Sequence, residues 1–338
     1  MIRPRPTEKR PMRRHVPLAI AALSLFSFSA ACSSSDGAGD RSTTTPDSAG
    51  ALATEPVAVS AAFYPLAEAA ARVGGECVAV TNLTPPGGGP HDLELTPKQV
   101  EDLADTDLLV YLSKGFQPAI EDAAAGLPSS ASTLDVLDGM DLLTVSDQLE
   151  GTQGEVDGEE LEGGYDPHVW VNPVLQEQLA TSIHDELTTI APTCAATFDA
   201  GLADYVSELS GLDERYRDGL AACTTQTIVT SHRAFEYLAQ EYGLVQVSIA
   251  GLSPDEEPDP RTLEAVAARA QADGVTTIFF ESQVPPDLSE TVANEIGAST
   301  DFLDPVETIG EADLADGTTY ATIMDRNLES LTAALACP

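Results

Sequence analysis

The sequence predicts an α/β protein of two domains, each built on a mostly parallel sheet, with a long helix between them. Three observations carry this. Short apolar strands alternate with amphipathic helices from Val57 onward, and the alternation starts afresh at Thr227; strands separated by helices call for parallel pairing through crossovers. Between the two runs the chain is helical from Pro173 to about Ala222, broken only at Pro192. Roughly 280 residues follow the N-terminal leader and its tether, more than one core usually organises.

Residues 1–31 read as a targeting segment. Five arginines and one lysine lie within residues 3 to 14, and a largely apolar run from Val16 to Ala31 ends in Ser-Ala-Ala-Cys. Small residues before Cys32 resemble a bacterial lipoprotein cleavage site, with Cys32 as the lipid-modified N-terminus. The apolar run is short of the 20 or so residues a membrane-spanning helix needs. Residues 32–54 are rich in Ser, Thr, Gly and Asp without apolar periodicity, and read as a flexible tether.

The N-terminal domain is expected over 55–173. Val57 to Ala61 is a strand, and Pro65 to Val73 a helix stopped by Gly74-Gly75. Cys77 to Leu83 is a second strand, and the loop Pro85-Pro-Gly-Gly-Gly-Pro90 then delivers His91. Thr96-Pro97 opens a helix through Leu103, with proline at its favoured first position. Leu108 to Leu112 is a strand and Pro118 to Ala125 a helix. Residues 145–164, full of acids and glycines, read as an acidic surface loop. Residues 174–222 hold the helices, the second about 25 residues and 35–40 Å long.

The C-terminal domain is expected over 223–338. Its strands are Thr227–Thr230, Val245–Ile249, Thr276–Phe280 and a weaker one reaching Leu303. Its helices run over Ala234–Tyr242, Arg261–Ala272, Leu288–Ile296 and Tyr320–Leu335. Gly243 and Gly297 stand where helices close with a left-handed residue.

Six of the 16 basic residues and one of the 55 acidic ones lie in residues 1–31, leaving 10 against 54, or −44. That charge argues against binding to nucleic acid or anionic lipid, which takes a basic patch. It suits an exported protein that concentrates cations near its surface. Cys77, Cys194, Cys223 and Cys337 follow Cys32; an even number in an exported chain favours two disulfides, and no Cys-x-x-Cys pair suggests thiolate zinc.

Five histidines are present. His15 belongs to the leader, and His184 sits on the polar side of a helix, a solvated face. His91, His168 and His232 stand in Pro-His or Ser-His contexts in loops beyond strands. Ligands of open parallel sheets bind beyond the carboxyl ends of the strands, where Glu281 and Asp304 also fall. Three imidazoles and a carboxylate suit Zn2+, whereas manganese and magnesium prefer oxygen donors. Spacing alone leaves two readings standing, a metal site or three structural histidines.

Four segments bear on that choice: Pro90-His91-Asp92-Leu-Glu-Leu-Thr-Pro97, Asp166-Pro-His168-Val-Trp-Val-Asn-Pro173, Ser231-His232-Arg-Ala-Phe-Glu-Tyr-Leu and Ala250-Gly-Leu-Ser-Pro-Asp-Glu-Glu-Pro258. Together they resemble the zinc/manganese substrate-binding proteins of ABC uptake transporters, from about Val57 to the C-terminus. The resemblance implies two parallel-sheet α/β domains joined by one long rigid helix, with the metal site in the cleft between them. It maps the first three ligands onto His91, His168 and His232; manganese members tend to carry Glu at the third place, so the cargo implied is zinc. The fourth ligand, a carboxylate of the C-terminal domain, maps best onto Asp304, with Glu281 as understudy. Trp170 and Tyr165 are expected to pack and orient the His168 loop, and Asp255-Glu256-Glu257 to form an exposed acidic loop.

If the metal faces mark the top of each sheet, Cys77 and Cys194 both lie at the far end of the first domain. Cys223 and Cys337 then lie at the far end of the second. The expected disulfides are Cys77–Cys194 and Cys223–Cys337, because a Cys194–Cys223 bond would have to span the long helix.

Relatives often carry a His-rich loop before the second ligand; here the loop has acids and no histidine, either a weak oxygen-based cation trap or simply solvated chain. The function expected is a high-affinity zinc-binding protein, monomeric, lipid-anchored outside the cell membrane or periplasmic, delivering Zn2+ to an ABC permease and catalysing nothing. Alternatives are manganese or iron delivery, a zinc buffer or adhesin without transport, and a zinc hydrolase, for which no His-Glu-x-x-His motif is present.

Overall fold

The computed structural model of the 338-residue chain describes residues 55–91, 93–144, 164–255 and 258–338. The leader, the tether with Cys32, and nearly all of the acidic loop expected at 145–164 lie outside the described residues, as do Glu256 and Glu257. Residues Thr54–Pro338 form one compact unit with two lobes. Among the described residues no helix is long and apolar enough to cross a membrane.

The N-terminal lobe contains β1 (Val57–Ala61), α1 (Tyr64–Gly74), β2 (Val78–Asn82), α2 (Pro97–Leu103), β3 (Leu108–Tyr111), α3 (Pro118–Gly126) and β4 (Ser132–Asp135). The long helices are α4 (Pro173–Ile190) and α5 (Ala195–Leu220). The C-terminal lobe adds β5 (Thr227–Thr230), α6 (Glu236–Glu241), β6 (Val245–Ser248), α7 (Pro260–Ala272), β7 (Thr277–Phe280), α8 (Asp287–Ile296), β8 (Ser299–Phe302), α9 (Glu311–Ala315) and α10 (Tyr320–Ala334). Both sheets are wholly parallel and share one order, β2-β1-β3-β4 and β6-β5-β7-β8. In each, the strand order reverses about a central pair, β1/β3 and β5/β7. Loops leaving such a switch point diverge and open a crevice above the strand ends.

The central strands read as apolar runs because helices cover both of their faces. Val59 stands between Val80 and Leu108, and Val229 between Val247 and Ile278. One continuous apolar core runs through both lobes, and a smaller one lies between the C-terminal sheet and helices α7 and α8. Two elements escaped the sequence reading, β4 and α9. The first is a polar edge strand, Ser-Thr-Leu-Asp, and the second a five-residue helix, Glu-Ala-Asp-Leu-Ala, with no buried residue; neither carries the apolar periodicity that marks an element.

Helix α5 joins the lobes. It is 26 residues, about 39 Å, and its buried stripe is Phe198, Tyr205, Leu209, Leu212, Tyr216 and Leu220. Its first half lies on α1 so closely that a Cβ at Gly201 would sit 2.4 Å from the Val73 carbonyl oxygen. Its second half lies on α10, where the Tyr216 hydroxyl donates to the Met324 carbonyl at 2.7 Å. Disulfides Cys77–Cys194 and Cys223–Cys337 close the two ends of this helix onto the lobes. Gly201→Ala must push α1 away from α5 and is expected to cost about 1–3 kcal/mol, the usual range for overpacking. Urea unfolding of the variant checks this; unchanged stability would mean α1 docks less tightly than it stands here.

Candidate metal centre

Each histidine is set by local chemistry. Before His168, Asp166 closes a small turn: its Oδ1 accepts the His168 backbone N–H at 3.0 Å and faces the ring Nδ1 at 2.8 Å. Pro167 between them fixes φ and narrows the choices. The Asp166 carbonyl takes the Tyr237 hydroxyl at 2.8 Å, so α6 of the other lobe holds the turn from outside. His232 follows β5, and Glu281 follows β7, its neighbour in the sheet. Glu281 Oε1 accepts the His232 N–H at 3.1 Å while Oε2 makes a short contact to Nδ1. A carboxylate behind Nδ1 keeps the proton there and turns the Nε2 lone pair outward.

His91 is delivered by a loop pinned at both ends. At one end the Gln99 amide donates to the Leu83 carbonyl at 2.7 Å, from an α2 whose first turn is closed by a Thr96–Gln99 capping box. At the other, the Gln117 amide donates to the Pro90 carbonyl at 3.1 Å. The loop crosses the cleft: Gly87 N–H donates to the Ile309 carbonyl at 3.1 Å and to the Thr308 hydroxyl at 3.0 Å. Gly87 holds φ +75°, a conformation that favours glycine.

The three imidazoles converge on Glu307. Its Oε1 lies 3.3 Å from His91 Nε2, 3.1 Å from His232 Nε2 and 3.6 Å from His168 Nε2. The four donor atoms fall within 4.8 Å of one another, and all four residues are buried. Donors about 2.0–2.1 Å from a tetrahedral zinc sit about 3.3–3.4 Å apart, so the carboxylate-to-imidazole edges already match. His168 Nε2 and Glu307 Oε2 are buried with no hydrogen-bond partner; buried polar atoms seldom stay so without a ligand to meet. The donor set fits zinc.

Electrostatics match this reading. Burial opposes charge on His232, but Glu281 and Glu307 outweigh it and raise the imidazole to about 10. Burial likewise opposes charge on Glu307, yet His232 and His91 hold its carboxyl well below the ordinary carboxylate range. His168 is lowered, chiefly by burial, against the pull of Asp166. A proton on His232 stands where a cation would otherwise be held.

The structure brings together His91, His168 and His232, and the carboxylate beside them is Glu307. Asp304 is not in the group: its Oδ1 accepts the Val306 N–H at 2.8 Å, and Asn327 holds its backbone on both sides, at 2.9 and 2.7 Å. It shapes the turn that presents Glu307 three residues on. Glu281, the understudy, stands behind His232 instead of beside it. Sequence reasoning did not single out Glu307, nor the contact of Asp166 with the His168 ring. The available signal for Glu307 was an acid inside the apolar stretch Pro305-Val-Glu-Thr-Ile309, where a buried charge needs a partner. His184 lies away from the group, between Asp185 and Asp199, which raise it. Tyr165 pairs with Thr144 in an isolated antiparallel bridge at the entry to the His168 turn.

The sequence profile of the family described as "ZnuA: Zinc-uptake complex component A periplasmic" matches residues 59–334. The zinc-binding lipoprotein AdcA of Streptococcus pneumoniae is 34% identical over 276 residues, which cover 80% of this chain and 54% of that relative; the chain thus spans about half of its length. The high-affinity zinc uptake system protein ZnuA of Bacillus subtilis is 32% identical over 270 residues, covering 80% of this chain and 84% of that protein. The crystal structure of the Zn(II)-bound ZnuA-like domain of the pneumococcal AdcA superposes with a TM-score of 0.70 at 31% identity, over 83% of this chain and 99% of that one.

Proposed function

This chain belongs to the ZnuA family, and on that premise we propose that it captures Zn2+ outside the cytoplasm and hands it to an ABC permease. The family is one of solute-binding transport components, not of enzymes. The observation that carries the reading is the closure of three imidazoles and one carboxylate on a single point in the cleft. Four protein donors leave no place for the water that a catalytic zinc keeps, so the chain does no chemistry on its cargo.

His91, His168, His232 and Glu307 are the proposed ligands. The first two come from the N-terminal lobe and the last two from the C-terminal lobe, so parting the lobes leaves zinc with half its donors. That supplies a route to release at the permease without any chemical step. Asp166 and Glu281 hold two rings in the tautomer that offers Nε2. A lipid on Cys32 would keep the carrier at the outer face of the membrane, with the tether giving it reach; the delivered protein works as a monomer.

Elemental analysis of the mature protein tests the reading. It should carry about one zinc per chain, the ratio a single four-donor site allows, and the His91→Ala/His168→Ala/His232→Ala variant should carry none. Manganese or iron retained under competition would change the cargo. Absence of metal from both proteins would leave the three histidines structural and remove the function with them.

A further inference from the structure

Trp170, two residues beyond His168, is the chain's one tryptophan and is fully buried. Its indole N–H donates to the Pro305 carbonyl at 2.8 Å, across 135 residues. Its own carbonyl accepts the Tyr320 hydroxyl at 2.7 Å. The ring lies 5.1 Å from His168, 4.7 Å from Phe63 and 5.5 Å from Phe116, measured between centroids.

Pro305 precedes the turn of Glu307, and that turn does not rest in a relaxed conformation. Val306, β-branched and buried, holds φ 59°, a region such residues avoid unless their surroundings impose it. What imposes it is visible. Asp304 takes the Val306 N–H from within the turn, Asn327 fixes Asp304, and Trp170 fixes the carbonyl between them. Of these restraints, only Trp170 comes from the lobe that carries His91 and His168.

We propose that Trp170 is a positioning residue for the zinc site, a strut that sets Glu307 against the histidines through its hydrogen bond to Pro305. The inference rests on the zinc reading above. The indole packs on the His168 ring, but its N–H goes to the Pro305 carbonyl and not to a donor atom. It ties the second histidine's segment to the fourth donor's turn, so that Glu307 reaches across the cleft at a fixed distance. With the strut gone, Val306 is free to relax toward negative φ and carry the Glu307 carboxylate away from the common point.

A double-mutant cycle on zinc affinity tests this, with competition chelators and with circular dichroism to verify folding. Trp170→Phe keeps an aromatic ring and removes the N–H. It should weaken zinc binding about tenfold or more, the lower end for groups that orient metal ligands. In a Glu307→Ala background the same change should have almost no effect, because the turn no longer carries a donor. Cobalt(II) gives a second readout: the intense visible bands of a four-donor tetrahedral site should weaken in Trp170→Phe. Should that variant not fold, Tyr320→Phe, which deletes only the hydroxyl on the Trp170 carbonyl, takes its place in the cycle. An equal loss in both backgrounds would make Trp170 a packing residue and overturn the inference. Unchanged zinc affinity in a folded Trp170→Phe protein would overturn it too, while failure of the unsubstituted protein to bind zinc would instead remove the reading beneath it.

Discussion

Alanine at Glu307 is expected to raise the zinc dissociation constant by roughly 100-fold or more, and alanine at Asp304 by much less. Four-ligand structural zinc sites bind with about 10–16 kcal/mol, which is on the order of 3 kcal/mol per donor and thus about two powers of ten. In the proposed site Glu307 is the one anionic donor among three imidazoles. Asp304 acts only through the Val306 N–H and the Asn327 side chain, so its loss slackens the turn without removing a ligand. Glu281→Gln is expected to fall between them, at roughly 10- to 100-fold, as for other groups that orient a ligating histidine. Competition titration of the three variants ranks them. An Asp304 variant that loses zinc as completely as the Glu307 variant would restore the assignment that the mapping of the Leu-Asp-Pro segment suggested.

Zinc capture near pH 7–8 is expected to expel about one proton, with affinity rising about tenfold per pH unit, since one displaced proton gives a slope of one. The cause is His232, raised to about 10 against its own burial by Glu281 and Glu307. In the metal-free fold it is protonated across that range, and zinc must take the lone pair that the proton holds. The same shift sets the stability of the metal-free protein. A histidine whose folded value lies above its unfolded value of about 6.5 contributes stability fully below that value. The contribution fades as pH rises through about 10. The metal-free melting temperature should therefore fall between pH 7 and 10 from this group while zinc protects more strongly. His168, lowered mainly by burial, acts in the opposite sense, because charging it below pH 6.5 favours the unfolded chain. Calorimetry in buffers of different ionisation enthalpy reads the proton count directly; zinc binding without proton release at pH 7.5 would contradict the charged state of His232.

Most of the fold was legible in the chain. Runs such as Leu-Leu-Val-Tyr at 108–111 and Thr-Ile-Phe-Phe at 277–280 are apolar because both sheet faces are covered, and they mark central strands wherever they occur. Pro192, Thr96-Pro97 and Gly297 punctuate helices by backbone sterics that act locally. The edge strand β4 was not legible, because an edge strand that is polar and half exposed need not carry a pattern.

The site divides along the same line. His91, His168 and His232 were recognisable because each stands in a short motif whose neighbours serve it directly: Asp166 hydrogen-bonds the ring two residues on, and the Pro/Gly run before His91 lets its loop cross the cleft. Which carboxylate faces the histidines, and what restrains it, was decided by tertiary structure. Asp304 and Glu307 are three residues apart; the apolar stretch around Glu307 marks a buried acid, but does not say which carboxylate faces the histidines. That depends on Asn327 and Trp170, which hold the turn from 23 and 135 residues away, and on a Val306 conformation the chain would not choose unaided. Local sterics write themselves into neighbouring residues, whereas the direction of one side chain in a restrained turn depends on contacts that exist only once both lobes have closed around it.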